Sequence, residues 1–263
     1  MSRARRVAIV IGLLGAAVMA ALMGPPIPQD PAYHRLADAR AFFGIPNALN
    51  VISNVPFVLV GAVGTWAVRP GGGGTARFID GRERWPWMVF FAGLLLTGFG
   101  SAYYHLDPNN QRLVWDRLPL AAALMGLFVA VIAERIGVRA GTALLAPVVM
   151  AGLGSVLWWH GGEVRGHGDL RPYALVQFYP LVAMPLILYL FGSRYTLGGA
   201  VLTTLAVYGL AKVFEWLDGP ILAMGSVVSG HTLKHLAAGA AGYVIVWMLT
   251  TRRPRPRFER SVR

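Results

Sequence analysis

The chain has 263 residues, 56% of them hydrophobic, with a mean hydropathy of +0.54 and a formal net charge of +12. Soluble domains are about 45–50% apolar, so an excess gathered in long runs indicates an integral membrane protein. There is no cysteine, which excludes disulfides and thiolate metal sites. The basic residues lie in short segments between apolar runs, where they set membrane orientation rather than a nucleic-acid surface.

Eight apolar segments follow one another, at residues 7–23, 51–68, 87–104, 118–133, 141–159, 173–191, 197–217 and 231–250. Each is close to the ~20 residues a helix needs to cross a bilayer. Helices are the spanning structure, because each segment must satisfy its own backbone. The expected fold is therefore all-α, a polytopic membrane bundle with seven core helices and one N-terminal hydrophobic segment. Residues 1–24 read as a signal anchor or a cleaved signal peptide, since Val18-Met19-Ala20 is a tolerable cleavage site. Residues 25–46 form an outer segment, 47–250 the seven-helix domain and 251–263 an arginine-rich tail with the character of an orientation lock. The run Pro70-Gly71-Gly72-Gly73-Gly74 is a flexible linker and lacks the Gly-Lys-Ser/Thr ending of a phosphate loop.

Placing the N-terminus inside assigns sixteen arginines to inner segments and six to outer ones. That is a positive-inside bias. With the same topology His34, His105, His160, His167, His231 and His235 all fall at the outer face.

In "GSAYYHLDPNNQRLVWDRLP", residues 100–119, Ser101 and His105 share one helix face at the outer end of the third span. Asp107-Pro108-Asn109-Asn110 is a turn, and Asp116 then opens the fourth span. His231 and His235, in "SGHTLKHL", begin the last span at the same depth. Histidines four apart on a helix can ligate one metal ion, and a third completes the protein ligands of a catalytic zinc. Asp116 would serve as general base and Ser101 as oxyanion donor. On the seventh span Lys212, Glu215 and Asp218 are three apart. Lys212 and Glu215 form either a neutralised pair or a substrate contact, and Asp218 could support a ligating histidine through its other ring nitrogen. Asp169 and Arg171 pair before the sixth span, with Tyr173 as an interfacial anchor. Lys234 snorkels to the headgroups.

These residues resemble the alkaline ceramidases, in the superfamily that includes adiponectin-receptor-like seven-helix membrane hydrolases, and most closely that family's bacterial branch. The resemblance rests on Ser101, His105, Asp116, His231 and His235, on "DRLP" from Asp116, and on "NALNVISNVPF" with Asn50, Ser53 and Asn54. It spans about residues 38–243 in scattered blocks. It implies zinc on His105, His231 and His235, and hydrolysis of the N-acyl bond of ceramide or a related lipid, with Asp116 assisting water and Ser101 stabilising the oxyanion. The bacterial branch points to a multi-pass protein of an inner membrane, and the arginine bias is expected to put its C-terminus in the cytoplasm and its active site toward the periplasm. The calcium of eukaryotic members is not carried over: Asp38 stands alone, Asn47 replaces a glutamate, and the Arg40 guanidinium could take the ion's place. The alternative is a non-enzymatic receptor-like or transport protein with a structural zinc site, for which the charges on the seventh span would line an ion path. A zinc-protease reading lacks the glutamate of its motif in His-Thr-Leu-Lys-His. A reporter fused after Arg263 is expected to read cytoplasmic, and a periplasmic signal would overturn the orientation.

Overall fold

The computed structural model describes residues 1–71 and 74–256. Two residues of the glycine linker and the end of the tail, with Arg257, Glu259, Arg260 and Arg263, lie outside the described residues. The bundle is all-α. Its helices are α1 (Arg3–Met23), α2 (Ala48–Ile52), α3 (Val55–Val68), α4 (Arg84–Leu106), α5 (Asn110–Arg135), α6 (Val138–Val164), α7 (Arg171–Leu190), α8 (Ala200–Trp216), α9 (Asp218–Gly225) and α10 (Gly230–Thr251). Seven helical stretches are long and apolar enough to cross a membrane, and α8 with α9 makes an eighth if that bent pair is one span.

The central helix is α5, held between α4 and α6. Packing in lipid favours small residues that let backbones approach. At Gly100 a side chain would collide with the Trp115 carbonyl, so this glycine lets α4 meet α5 one residue before Asp116. Asp107 ends α4, and Asn109 caps α5, its side chain accepting from the Arg112 amide at 2.9 Å. Helix α5 therefore begins at Asn110, and Asp116 lies inside its second turn rather than at its start.

Two other boundaries depart from the apolar pattern. The second span starts at Ala48 and breaks at Ser53-Asn54, ahead of Pro56, because proline removes an amide donor and crowds the preceding turn. The seventh starts at Ala200, since Leu197 is left-handed (φ 59°) and Gly198-Gly199 continues the turn. It then bends by 74° between Trp216 and Asp218.

Helix α1 lies along α7 and is tied at both ends. The Arg6 guanidinium donates to the Leu190 carbonyl at 2.9 Å, and Arg171 donates to the Ala21 and Gly24 carbonyls. Asp169 pairs with Arg171 at 2.8 Å, as expected. That guanidinium holds the Asp169 carboxyl below the usual carboxylate range.

The end of the bundle opposite the histidines carries a buried ionic network. Glu83 is fully buried, bonded by Arg194 at 2.7 Å and by the Tyr195 hydroxyl. Glu134 accepts from Trp87 Nε1 at 2.9 Å and from Arg252 at 2.5 Å. Arg252 is itself fully buried, with its guanidinium 3.9 Å from the Tyr195 ring centroid. The start of the tail is thus a structural element rather than a solvated orientation lock. Removing one partner of a buried ion pair costs about 3–5 kcal/mol. Arg252→Ala is accordingly expected to lower the thermal midpoint in detergent clearly, and an unchanged midpoint would show that the pair carries no stability.

Candidate metal centre

His105 ends α4, and His231 and His235 occupy the first two turns of α10. All three are buried, at 1%, 6% and 2% exposure, and one ligand nitrogen from each lies within 4.8 Å of the others. The Nε2 atoms of His105 and His231 are 3.2 Å apart. A tetrahedral ion at about 2.0–2.1 Å from each nitrogen sets neighbouring nitrogens about 3.3–3.4 Å apart, so this pair already has the spacing of metal ligands. The third ring is directed by Ser53, whose hydroxyl is 2.8 Å from His235 Nδ1 and leaves Nε2 free for an ion. The residues fit a three-histidine metal site.

The mouth of α10 is built to hold these rings still. Ser229 caps the helix, its hydroxyl accepting from the Thr232 amide at 3.2 Å. The Asp218 carboxylate accepts from the His231 amide at 2.8 Å and from the Ala37 amide at 3.1 Å. Asp218 was expected to bond a ring nitrogen; it bonds the backbone instead, because the break after α8 sets it at the N-terminus of α10. Gly230 permits this contact, since a side chain there would strike Phe214 and Asp218.

The polar trio of the second span ties the site to the outer loop. Asn50 donates to the Asp38 carbonyl at 2.9 Å and accepts from the Thr232 hydroxyl at 3.2 Å. Asn47 donates to the His105 carbonyl at 2.8 Å. Arg40 forks onto both oxygens of buried Asp38, at 2.8 and 2.7 Å, and reaches the Ser226 and Val227 carbonyls at 2.8 and 2.7 Å. The guanidinium beside Asp38 holds its carboxyl below the usual range. The exposed Arg40 guanidinium thus joins this loop to the α9–α10 connection.

Ser101, Asp116 and His235 line a cavity of about 290 Å³ between α4, α5, α7, α8 and α10. Ser101 and Asp116 share the polar end of that cavity wall. The topology expected from sequence therefore brings all five predicted residues to one end of the bundle. His34 goes elsewhere, to the Tyr104 hydroxyl at 3.0 Å and Asn110 at 2.9 Å.

Lys234 does not snorkel. It turns inward to Glu215 at 2.8 Å, while Lys212 takes the other Glu215 oxygen at 2.6 Å. Lys234 Nζ also lies 3.2 Å from His231 Nε2. All three line the cavity, as do Arg117 and Tyr173. Tyr173 is buried against the Arg117 guanidinium, at 4.9 Å, rather than anchoring at the interface. The clue to Ser53 lay in three polar residues, spaced 50, 53 and 54, within an apolar run. Nothing in the local sequence marks the inward turn of Lys234.

A comparison of the sequence with known protein families finds no match, and a comparison with curated proteins finds none either. The chain is an all-α, membrane-type helical bundle with a buried histidine triad that could hold a metal ion.

Groups that orient a ligating histidine typically cost 10–100-fold in metal affinity when removed. Ser53→Ala is expected to weaken metal binding by about that factor in a competition titration, and unaltered affinity would show that Ser53 does not orient the site.

Proposed function

We propose that the chain is a zinc-dependent membrane hydrolase that cleaves the N-acyl bond of a lipid, a ceramide or a related amide. The observation that carries the reading is the cavity, polar at the histidine end and apolar along its length. On α4 its lining runs from Ser101 back to Phe90, and on α5 from Asp116 to Leu127. Eleven residues of helix span about 16 Å. A C–C bond of about 1.5 Å at a tetrahedral angle advances about 1.25 Å along an extended chain, so roughly a dozen methylenes fit alongside. The motif resemblance to alkaline ceramidases points the same way.

Zinc held by His105, His231 and His235 would acidify a water and polarise the scissile carbonyl. The apolar wall aligns the acyl chain so that its carbonyl stops beside Ser101 and Asp116. Asp116 takes the proton as water oxygen adds to the carbonyl carbon. The Ser101 hydroxyl donates to the carbonyl oxygen as negative charge develops there. When the C–N bond breaks, Asp116 returns its proton to the departing nitrogen, leaving an amine and a fatty acid. Ser53, Asp218 and Asn47 touch no substrate in this scheme; they hold the histidines.

A receptor or transport protein would need the histidines but no general base beside them. The paired charges on α8 and α10 are compatible with that alternative, and Asp116 separates the two readings. The expected preparation holds about one zinc per chain, lost in His231→Ala, and hydrolyses some member of an N-acyl lipid panel until a chelator is added. Asp116→Asn should keep its zinc and lose turnover by roughly 10²–10⁴-fold, the usual contribution of a positioned general base. Full activity in that variant would remove Asp116 from the chemistry, and a zinc-loaded wild type inert on the whole panel would favour the non-enzymatic reading.

A further inference from the structure

The charges facing the cavity do not balance. Three cations, Arg117, Lys212 and Lys234, share it with two carboxylates, Asp116 and Glu215. Glu215 is saturated, with one lysine on each oxygen. Asp116 lines the same wall beside Ser101 and has no ion pair among the described residues. Arg117 is left with no ion pair among the described residues. It is 5% exposed, and only Nη2 is used, donating to Gln29 Oε1 at 2.7 Å. Its Nη1 is buried and has no partner. Three aromatic rings surround it: Trp159 at 4.2 Å, Tyr173 at 4.9 Å and Tyr33 at 5.5 Å. Ring faces stabilise a cation only modestly, whereas an unpaired charge inside a membrane protein is expensive and marks a functional path by default.

The proposed reaction leaves this surplus unchanged, because the proton that Asp116 takes from water leaves an equal negative charge on the substrate oxyanion. A neutral substrate would leave this surplus uncompensated.

We propose that the polar end of the cavity is an oxyanion subsite. Arg117, with Lys212, would take a carboxylate or phosphate carried by the acyl substrate on the amine side of its scissile bond. The preferred lipid is then an acidic N-acyl amphiphile rather than a neutral ceramide. The position of the acyl chain rests on the hydrolase reading, but the subsite itself is defined by binding.

The test is equilibrium binding to the purified full-length chain in neutral detergent, after zinc has been stripped so that the metal cannot supply the anion's partner. Two pairs each set an acidic headgroup against a neutral one on the same acyl amide: N-dodecanoylglycine against its neutral amide, and N-dodecanoyl-O-phosphoethanolamine against N-dodecanoylethanolamine. Inorganic phosphate serves as the free-ion probe. The acidic member of at least one pair is expected to bind about ten- to a hundredfold tighter, the range for a charge-assisted hydrogen bond, and the pair with the larger ratio names the oxyanion. Arg117→Gln should abolish the preference, and Lys212→Met should reduce it. Equal binding within both pairs in the wild type overturns the proposal and requires no variant to fold. So does inorganic phosphate binding as tightly as the acidic lipids, which would mean a free-anion site. A charge preference that persists unaltered in a folded Arg117→Gln also overturns it. The zinc-loaded chain is assayed for turnover of the same compounds. Charge preference without turnover would sink the hydrolase reading and leave the subsite standing; turnover without charge preference would do the reverse.

Discussion

Polar groups inside a membrane bundle have no water to fall back on, so each must find its partner within the protein. Every other property of the histidine end depends on this constraint. The three imidazoles arrive on two helices, yet their positions are set by groups that ligate nothing. Asp218 and Ser229 hold the first turn of α10, Ser53 holds one ring, and Asn47 holds the end of α4. Asn50 links that framework to Asp38, and Arg40 carries it on to the loop before α10. The site is one continuous hydrogen-bonded piece, so a change at Asp218 acts on His231 through its backbone amide rather than its ring.

The two ends of the bundle use buried charge differently. At the arginine end the pairs close on themselves: Glu83 with Arg194 and Tyr195, and Glu134 with Arg252 and Trp87. Such a network suits a structural clasp, since breaking it leaves a charge stranded. At the histidine end several groups are left short of partners. Of the five buried side-chain atoms without a hydrogen bond among the described residues, four belong to Asn54, His105, Arg117 and His160, which lie toward that end. Native proteins satisfy nearly all their buried polar atoms, so exceptions that cluster call for an explanation. A cavity that receives a polar ligand supplies one for Arg117.

Much of this was legible in the sequence, for identifiable reasons. Hydrophobic runs read out the spans because lipid imposes their length. The turn after His105 could be read from Asp-Pro-Asn-Asn, and with it the convergence of Ser101, His105, Asp116, His231 and His235. Side-chain direction was not legible. Lys234 precedes a ligand candidate in a helical repeat, and a lysine near a helix end ordinarily reaches for water. Only the presence of Glu215 on a neighbouring helix turns it inward. Arg252 looks like any basic residue after a span, and its burial follows from Glu134, more than a hundred residues away. The bend before Asp218 was hidden because Trp216 and Leu217 show no break signal of their own, and only Gly219-Pro220 hints at a stop.

That bend links the architecture to the chemistry. A straight helix through residue 218 would carry Asp218 onward with α8, away from the start of α10. The 74° turn instead leaves its carboxylate at the His231 amide, where a helix N-terminus favours negative charge. It also ends α8 just after Glu215, so that one carboxylate can meet lysines from two helices at the cavity wall. The broken helix therefore does two things at once: it fixes the ligand-bearing helix, and it lines the cavity with Glu215 shared between two lysines. Arg117 stays outside that triad. With two lysines already sharing Glu215, an Arg117 that has no carboxylate of its own and one buried nitrogen without a partner is the group on which the proposed oxyanion subsite depends.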